Sequence, residues 1–331
     1  MHPHAPSLQR AHSPMARTIL AAAVATLLLA MLPLAGVPAG ASAPREFVVA
    51  PWGSDSAAGT PSAPFATISH GIRELSPGDT LTVRGGTYRE RITTTPTPAT
   101  SNQRITVQAH PGERPIIEGL LWLTGADYWT ISGINVTWSD TNTSNEHMVK
   151  FRGGTGWRFT QAEVWGAKSY AAILVSSDAR DFRLDHLYVH HTLAANDTNQ
   201  DHLIYINNGQ TGHGVIERNV LAHSVNGRGI KLGPSSLSKP GTSNITIRYN
   251  TFYANTGPSN IQLSGSSSNN TIHHNLLVRP GNGKRNITAW NLTGTDNIAH
   301  NNLGWESDGV NDDAITDGDG NAMVNHPFAD P

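Results

Sequence analysis

Residues 244–255, NITIRYNTFYAN, and residues 269–280, NNTIHHNLLVRP, share one signature. Each has an isoleucine, an asparagine three residues later and a large apolar residue five residues later. Working outward, the two apolar positions of this pattern recur in residues 128–138 (YWTISGINVTW), 156–165 (GWRFTQAEVW), 181–191 (DFRLDHLYVHH), 213–223 (HGVIERNVLAH) and 295–305 (TDNIAHNNLGW). The first core position is held in turn by Ile131, Phe159, Leu184, Ile216, Ile247, Ile272 and Ile298. Five residues on stand Val136, Val164, Val189, Leu221, Phe252, Leu277 and Leu303. All of these positions are apolar, and successive copies lie 25 to 32 residues apart.

A shorter apolar strand sits between copies: MVKF (148–151), AAILV (171–175), HLIYI (202–206), GIKL (229–232), NIQL (260–263) and NITA (286–289). Short strands with a period of about 20–30 residues and no helix predict a β-solenoid, one coil per repeat. Asn219, Asn250, Asn275 and Asn301 fall in one column, where stacked side-chain amides can bond from coil to coil at a turn. Glu217 and Arg248 fall in the next outward column and are expected to form a surface pair.

Composition agrees. Charged residues make up 15% of 331, the formal net charge is -2 and cysteine is absent. That balance argues against nucleic acid as a partner, and no disulfide supports the fold. Residues 1–43 read as an export signal. Arg17 precedes the apolar run Ile19–Leu34, and Ala39-Gly40-Ala41 offers a cleavage site, with Ala43 as the alternative. The run is shorter than the roughly 20 residues of a spanning helix. The start is either Met1 or Met15. Once the signal is removed, no membrane association is expected, and the mature protein should be a secreted, extracellular monomer.

The stretch 47–90, FVVAPWGSDSAAGTPSAPFATISHGIRELSPGDTLTVRGGTYRE, adds a strand, a short helix near Ile68–Leu75, the turn Pro77-Gly78-Asp79 and a G-G-T-Y exit. With the repeats, it resembles the right-handed parallel β-helix proteins of the pectate-lyase-like superfamily, in particular those of the chondroitinase B/alginate lyase type. The expected fold is all-β, a right-handed parallel β-helix (solenoid) whose short N-terminal helix plugs the open end of the stack. The expected organisation is a cap and first coils over 44–125, regular coils over 126–310 and a C-terminal end over 311–331. Asp317-Gly-Asp319-Gly-Asn321 suggests calcium, but the twelfth position of an EF-hand loop would be Phe328, so it is read as a polar turn.

In a solenoid, function must sit on outward side chains of one sheet or on long turns. Aligning the short strands gives an outward column of Lys150, Leu174, Tyr205, Lys231, Gln262 and Thr288. A second column, two residues before the first core position, reads His147, Ala171, His202, Arg228, Ser259 and Arg285. Coils are about 4.8 Å apart, so Tyr205 neighbours Lys231, His202 neighbours Arg228, and Lys150 lies roughly 14 Å from Lys231. A long turn, 193–200, delivers Asp201. The predicted catalytic patch is therefore Asp201, His202, Tyr205, Arg228 and Lys231, with Lys150, Arg152 and His147 binding substrate.

These residue types suit β-elimination from, or C5 epimerisation of, a uronate in an acidic polysaccharide. A cation neutralises the carboxylate, a base removes the C5 proton and an acid protonates the leaving oxygen. Arg228 fits the first role, Lys231 or His202 the second and Tyr205 the third. Arginine beside Lys231 should depress its pKa. The family resemblance implies a Lys or Arg base and, in many members, Ca2+; alginate epimerases of this fold use Tyr, His, Asp and Lys, but their D-P-H segment is not found here. The alternative, from another class, is a non-catalytic carbohydrate-binding or cell-surface β-helix. Weaker candidates are a His191/His223 metal pair, an Asp181/Asp185 carboxylate pair, and Trp138, Trp165, Trp290 and Trp305 as sugar platforms.

Overall fold

The computed structural model describes residues 43–143, 145–193, 200–234, 236, 238–281 and 284–324. The expected export signal, residues 194–199 of the long turn and residues 325–331 lie outside these. Alternating inward aliphatics make short strands, which stack into three parallel sheets of eleven, eight and ten strands. Each strand pairs with its counterpart one coil earlier and one coil later, as in Ile131–Phe159–Leu184–Ile216–Ile247–Ile272. Those side chains are almost wholly buried, as are Val136, Val164, Val189, Leu221, Phe252 and Leu277. Burying each such side chain contributes about 1.5–3 kcal/mol. Mid-stack, the core is aromatic: Trp157 stacks on Phe151 at 4.1 Å and on Phe182 at 4.9 Å.

The predicted helix is Ile68–Glu74. Thr67 caps it by accepting from the His70 N–H at 3.1 Å, and the Glu90 carboxylate accepts from the N–H groups of Ile68 and Ser69. Ile68 and Ile72 are buried over the first coil, covering the end of the stack. A Cβ on Gly71 would lie 2.7 Å from the Leu81 side chain, so only glycine lets the helix come this close.

The last coil is shifted by one residue from the sequence expectation. Ala299 pairs with Ile272 and Gly304 with Leu277, while Ile298 and Leu303 are only half-buried. The cause is the asparagine ladder. Asn219 donates to Asn250 at 2.9 Å, Asn250 to Asn275 at 3.0 Å, Asn275 to Asn302 at 2.9 Å and Asn302 to Asn321 at 3.1 Å. A parallel rung joins Asn270 to Asn297 at 2.8 Å. These two amides, five residues apart, pin the register against the pull of Ile298 toward the core. Asn302 therefore takes the rung expected of Asn301, which is exposed with φ 52°.

Glu217 is also not a surface residue. It is 1% exposed and accepts from Arg183 and, at 2.7 Å, from Arg248, with Arg218 at 3.3 Å. A buried carboxylate with several guanidinium partners costs far more to break than an exposed pair.

Candidate active site

The eight-stranded sheet carries the predicted patch, and its register is the one expected. Lys150 pairs with Leu174, Leu174 with Tyr205, Tyr205 with Lys231, Lys231 with Gln262 and Gln262 with Thr288. Inward Ile230 and Leu232 force Lys231 outward in the strand Ile230–Leu232, as Ile204 and Ile206 do for Tyr205. The Lys231 ammonium lies 4.8 Å from the centroid of the Tyr205 ring. On the N-terminal side the column continues to Trp122, which pairs with Lys150. Sequence reading started this column at Lys150; the strand Leu120–Thr124 was the overlooked signal.

His202 reaches the same face through a bend. The N–H groups of Leu203 and Ile204 donate to consecutive carbonyls of the next coil, Arg228 O and Gly229 O, both at 2.9 Å. Two successive bonds in the same direction turn the chain. Leu203 enters the core, and the His202 ring comes 6.0 Å from that of Tyr205. Asp201 precedes the bend in the left-handed region, φ 56°, a conformation Asp tolerates better than most residues. The next coil presses on it: a Cβ on Gly227 would lie 2.3 Å from the Asp201 carbonyl oxygen.

The patch faces outward yet is nearly closed off: Asp201 is 0% exposed, His202 1%, Arg228 2% and Lys231 5%. Burial sets its electrostatics. Burial first, and then the Arg228 charge, press the Lys231 amine down to about 8; burial holds Arg228 to about 10. The direction for Lys231 is the one expected from its neighbour Arg228, but burial is the larger cause. Burial, then Arg228 and Lys231, keep His202 neutral, well below its ordinary range. The Arg228 backbone N–H donates to His202 Nδ1 at 3.2 Å, so the ring proton sits on Nε2, which is buried and makes no hydrogen bond. His202 is thus a neutral donor at Nε2.

The substrate-binding candidates divide. His147 is held to about 4, chiefly by burial, and its Nδ1–H donates to Ala171 O at 3.3 Å, so it brings no charge. The Lys150 ammonium lies 4.7 Å over the Trp122 ring, whose Nε1–H bonds His147 O. Exposed Arg152 donates to Ser177 Oγ at 3.3 Å. Among the described residues neither Lys150 nor Arg152 forms an ion pair. The eleven-stranded sheet is the opposite case. There Arg158 grips buried Asp185 at 2.5 and 2.6 Å, while Arg183 and Arg248 grip Glu217.

The weaker candidates have structural explanations. Asp185 is bound by Arg158, Thr160 and His186, and Asp181 stands apart, 3.6 Å from His213. His191 stacks on His223 at 4.5 Å. Among the described residues no group of three or more His, Asp or Glu side chains is arranged to hold a metal ion. That includes Asp317 and Asp319, beside Asn321, whose amide ends the ladder. Trp138, Trp165 and Trp305 are half-buried and Trp290 is 40% exposed.

Residues 47–184 match a family model described as the Pel9A-like, right handed beta helix region. No curated protein matches the chain. Among solved structures it is similar to XylC in complex with xylose, with a TM-score of 0.60 at 13% identity over 78% of this chain, and it spans 65% of XylC. It is similar to an alginate lyase from Paenibacillus sp. str. FPU-7, with a TM-score of 0.58 at 13% identity, covering 85% of this chain and 98% of the lyase. Pectate lyase Pel9A gives a TM-score of 0.52 at 16% identity, covering 86% and 78%. At these identities the likeness is one of fold. The chain is a parallel β-helix, and its residues 47–184 are similar to the Pel9A-like right-handed β-helix region.

Proposed function

We propose that this is an exported enzyme that opens uronate-containing polysaccharide by β-elimination, with Lys231 as base. The observation that carries the reading is the Lys231 amine itself. It is buried beside Arg228, pressed to about 8, and in contact with the Tyr205 ring. An amine in that range has a usable neutral fraction near physiological pH, and that fraction can take a proton.

Arg228 is the group that meets the uronate carboxylate, offering a planar fork of donors to two oxygens. Neutralising the carboxylate lowers the barrier to loss of the C5 proton, because the developing charge spreads onto those oxygens. The His202 Nε2–H supplies a further donor in a water-poor setting, and Tyr205 protonates the departing glycosidic oxygen. Lys150, roughly 14 Å along the column, takes a carboxylate on a more distant sugar. The cationic face formed by Lys150 and Arg152 supports an acidic polymer over a neutral one. The apolar run Ile19–Leu34 supports export, so the mature N-terminus of protein recovered from culture medium is expected at Ser42, with Pro44 as the alternative.

The test is a panel of uronate polymers incubated with the protein while ultraviolet absorbance of the unsaturated product is followed. Product from at least one polymer, lost in Lys231→Ala, supports the reading. Tight binding with no product and no C5 exchange by NMR overturns it in favour of a non-catalytic carbohydrate-binding protein.

A further inference from the structure

We infer that elimination here is syn and that the substrate is a uronate whose O4 is equatorial, of the manno or gluco configuration. The inference rests on the β-elimination reading and asks which sugars fit it. Base and acid rise from the same sheet face. Tyr205 and Lys231 are register partners on adjacent strands, and the Lys231 ammonium lies 4.8 Å from the Tyr205 ring centroid. A sugar lying on this face meets both groups from one side.

Stereochemistry then selects. In a uronate with equatorial O4, the C5 hydrogen and O4 are gauche and reachable from one face of the ring. With axial O4, as in galacturonate or guluronate, the C5 hydrogen and O4 are anti, and the base and acid must stand on opposite faces. The bond changes balance without water, metal or oxidant. The C5–H bond breaks and its proton goes to the Lys231 amine, while its electron pair becomes the C4–C5 double bond. The C4–O4 bond breaks onto O4, which takes the Tyr205 phenolic proton. The Lys231 ammonium then returns a proton to the Tyr205 phenolate, one ring away, and both groups are reset.

The same geometry favours elimination over epimerisation. Inversion at C5 needs a proton delivered to the face opposite the one from which it was taken, and both named groups stand on one face.

The experiment uses the mature protein with four polymers: polymannuronate and polyglucuronate, with equatorial O4, and polyguluronate and polygalacturonate, with axial O4. Initial rates of unsaturated product are compared, and Tyr205→Phe and Lys231→Ala are run on the best substrate after their folding is checked by circular dichroism. The expected result is cleavage of an equatorial polymer at a rate roughly 100-fold or more above either axial one, the scale of a misplaced catalytic group. Both variants should lose that activity. Cleavage of an axial polymer equal to or faster than the equatorial ones overturns the inference and leaves the elimination reading standing. No product from any of the four overturns both together.

Discussion

The backbone N–H of Arg228 donates to Nδ1 of His202, and this single 3.2 Å bond determines which ring nitrogen carries the proton. A backbone donor cannot switch roles, so the tautomer is fixed by the coil that follows. His202, Arg228 and Lys231 are thereby tied to one another. The amide that locks His202 belongs to the residue whose guanidinium helps to press down the Lys231 amine.

That bond predicts a signature in nitrogen NMR. His202 should show a protonated Nε2 and an unprotonated Nδ1, with no titration between pH 5 and 8. His202→Ala leaves the Arg228 N–H without this acceptor and should cost about 1–3 kcal/mol of stability as well as activity. A His202 ring that titrates near pH 6.5 would overturn the assignment.

The asparagine ladder predicts a contrast between two positions that look alike in sequence. Asn275→Ala removes a rung bonded to both Asn250 and Asn302 and should destabilise by about 1–3 kcal/mol. Asn301→Ala, at an exposed position, should change stability by no more than about 0.5 kcal/mol. Chemical denaturation decides between this register and the alternative one, in which Asn301→Ala would cost about as much as Asn275→Ala.

Those two residues also mark how far the sequence could be read. The apolar columns were legible because every coil repeats them, so Ile131 through Ile272 and the partnership of Tyr205 with Lys231 follow from pattern alone. The last coil was not. Ile298 is more apolar than Ala299, and only the hydrogen bond from Asn270 to Asn297 reveals that the alanine goes inside. Glu217 looked like one half of a surface pair because its second guanidinium, Arg183, comes from a coil back. The burial of Lys231 is set by the three-dimensional packing around it, which no periodicity encodes. For the same reason burial, not the neighbouring Arg228, proved the larger cause of its depressed pKa. The bend that turns Leu203 inward and brings His202 to Tyr205 is likewise a three-dimensional event.

Lys150 should act on binding of long chains. Lys150→Ala is expected to raise KM for polymeric substrate about tenfold with a smaller change in kcat, and to weaken the salt dependence of kcat/KM. Steady-state kinetics at two ionic strengths measure both. Equal losses on the shortest and longest oligouronates would show that Lys150 acts through folding instead.

Stability should fall on mild acidification. His147 and His273 are held to about 4 and His202 well below its ordinary range, in each case chiefly by burial, while an unfolded histidine titrates near 6.5. Between those values the unfolded chain binds protons that the fold refuses. The stabilisation is complete above about pH 6.5 and is lost as pH falls toward 4. Thermal melts at pH 7.5, 5.5 and 4.5 should show a stepwise drop in Tm; an unchanged Tm across that range would contradict the burial of these rings.

The central claim is that Lys231 is the base, and its pH–rate profile tests that most directly. On a cleaved uronate polymer, kcat/KM should rise with unit slope as pH increases and level off above about 8, where the buried amine has lost its proton. Lys231→Ala should abolish that limb together with product formation. A profile flat from pH 6 to 9, or a Lys231→Ala variant that retains the wild-type rate, would contradict the account.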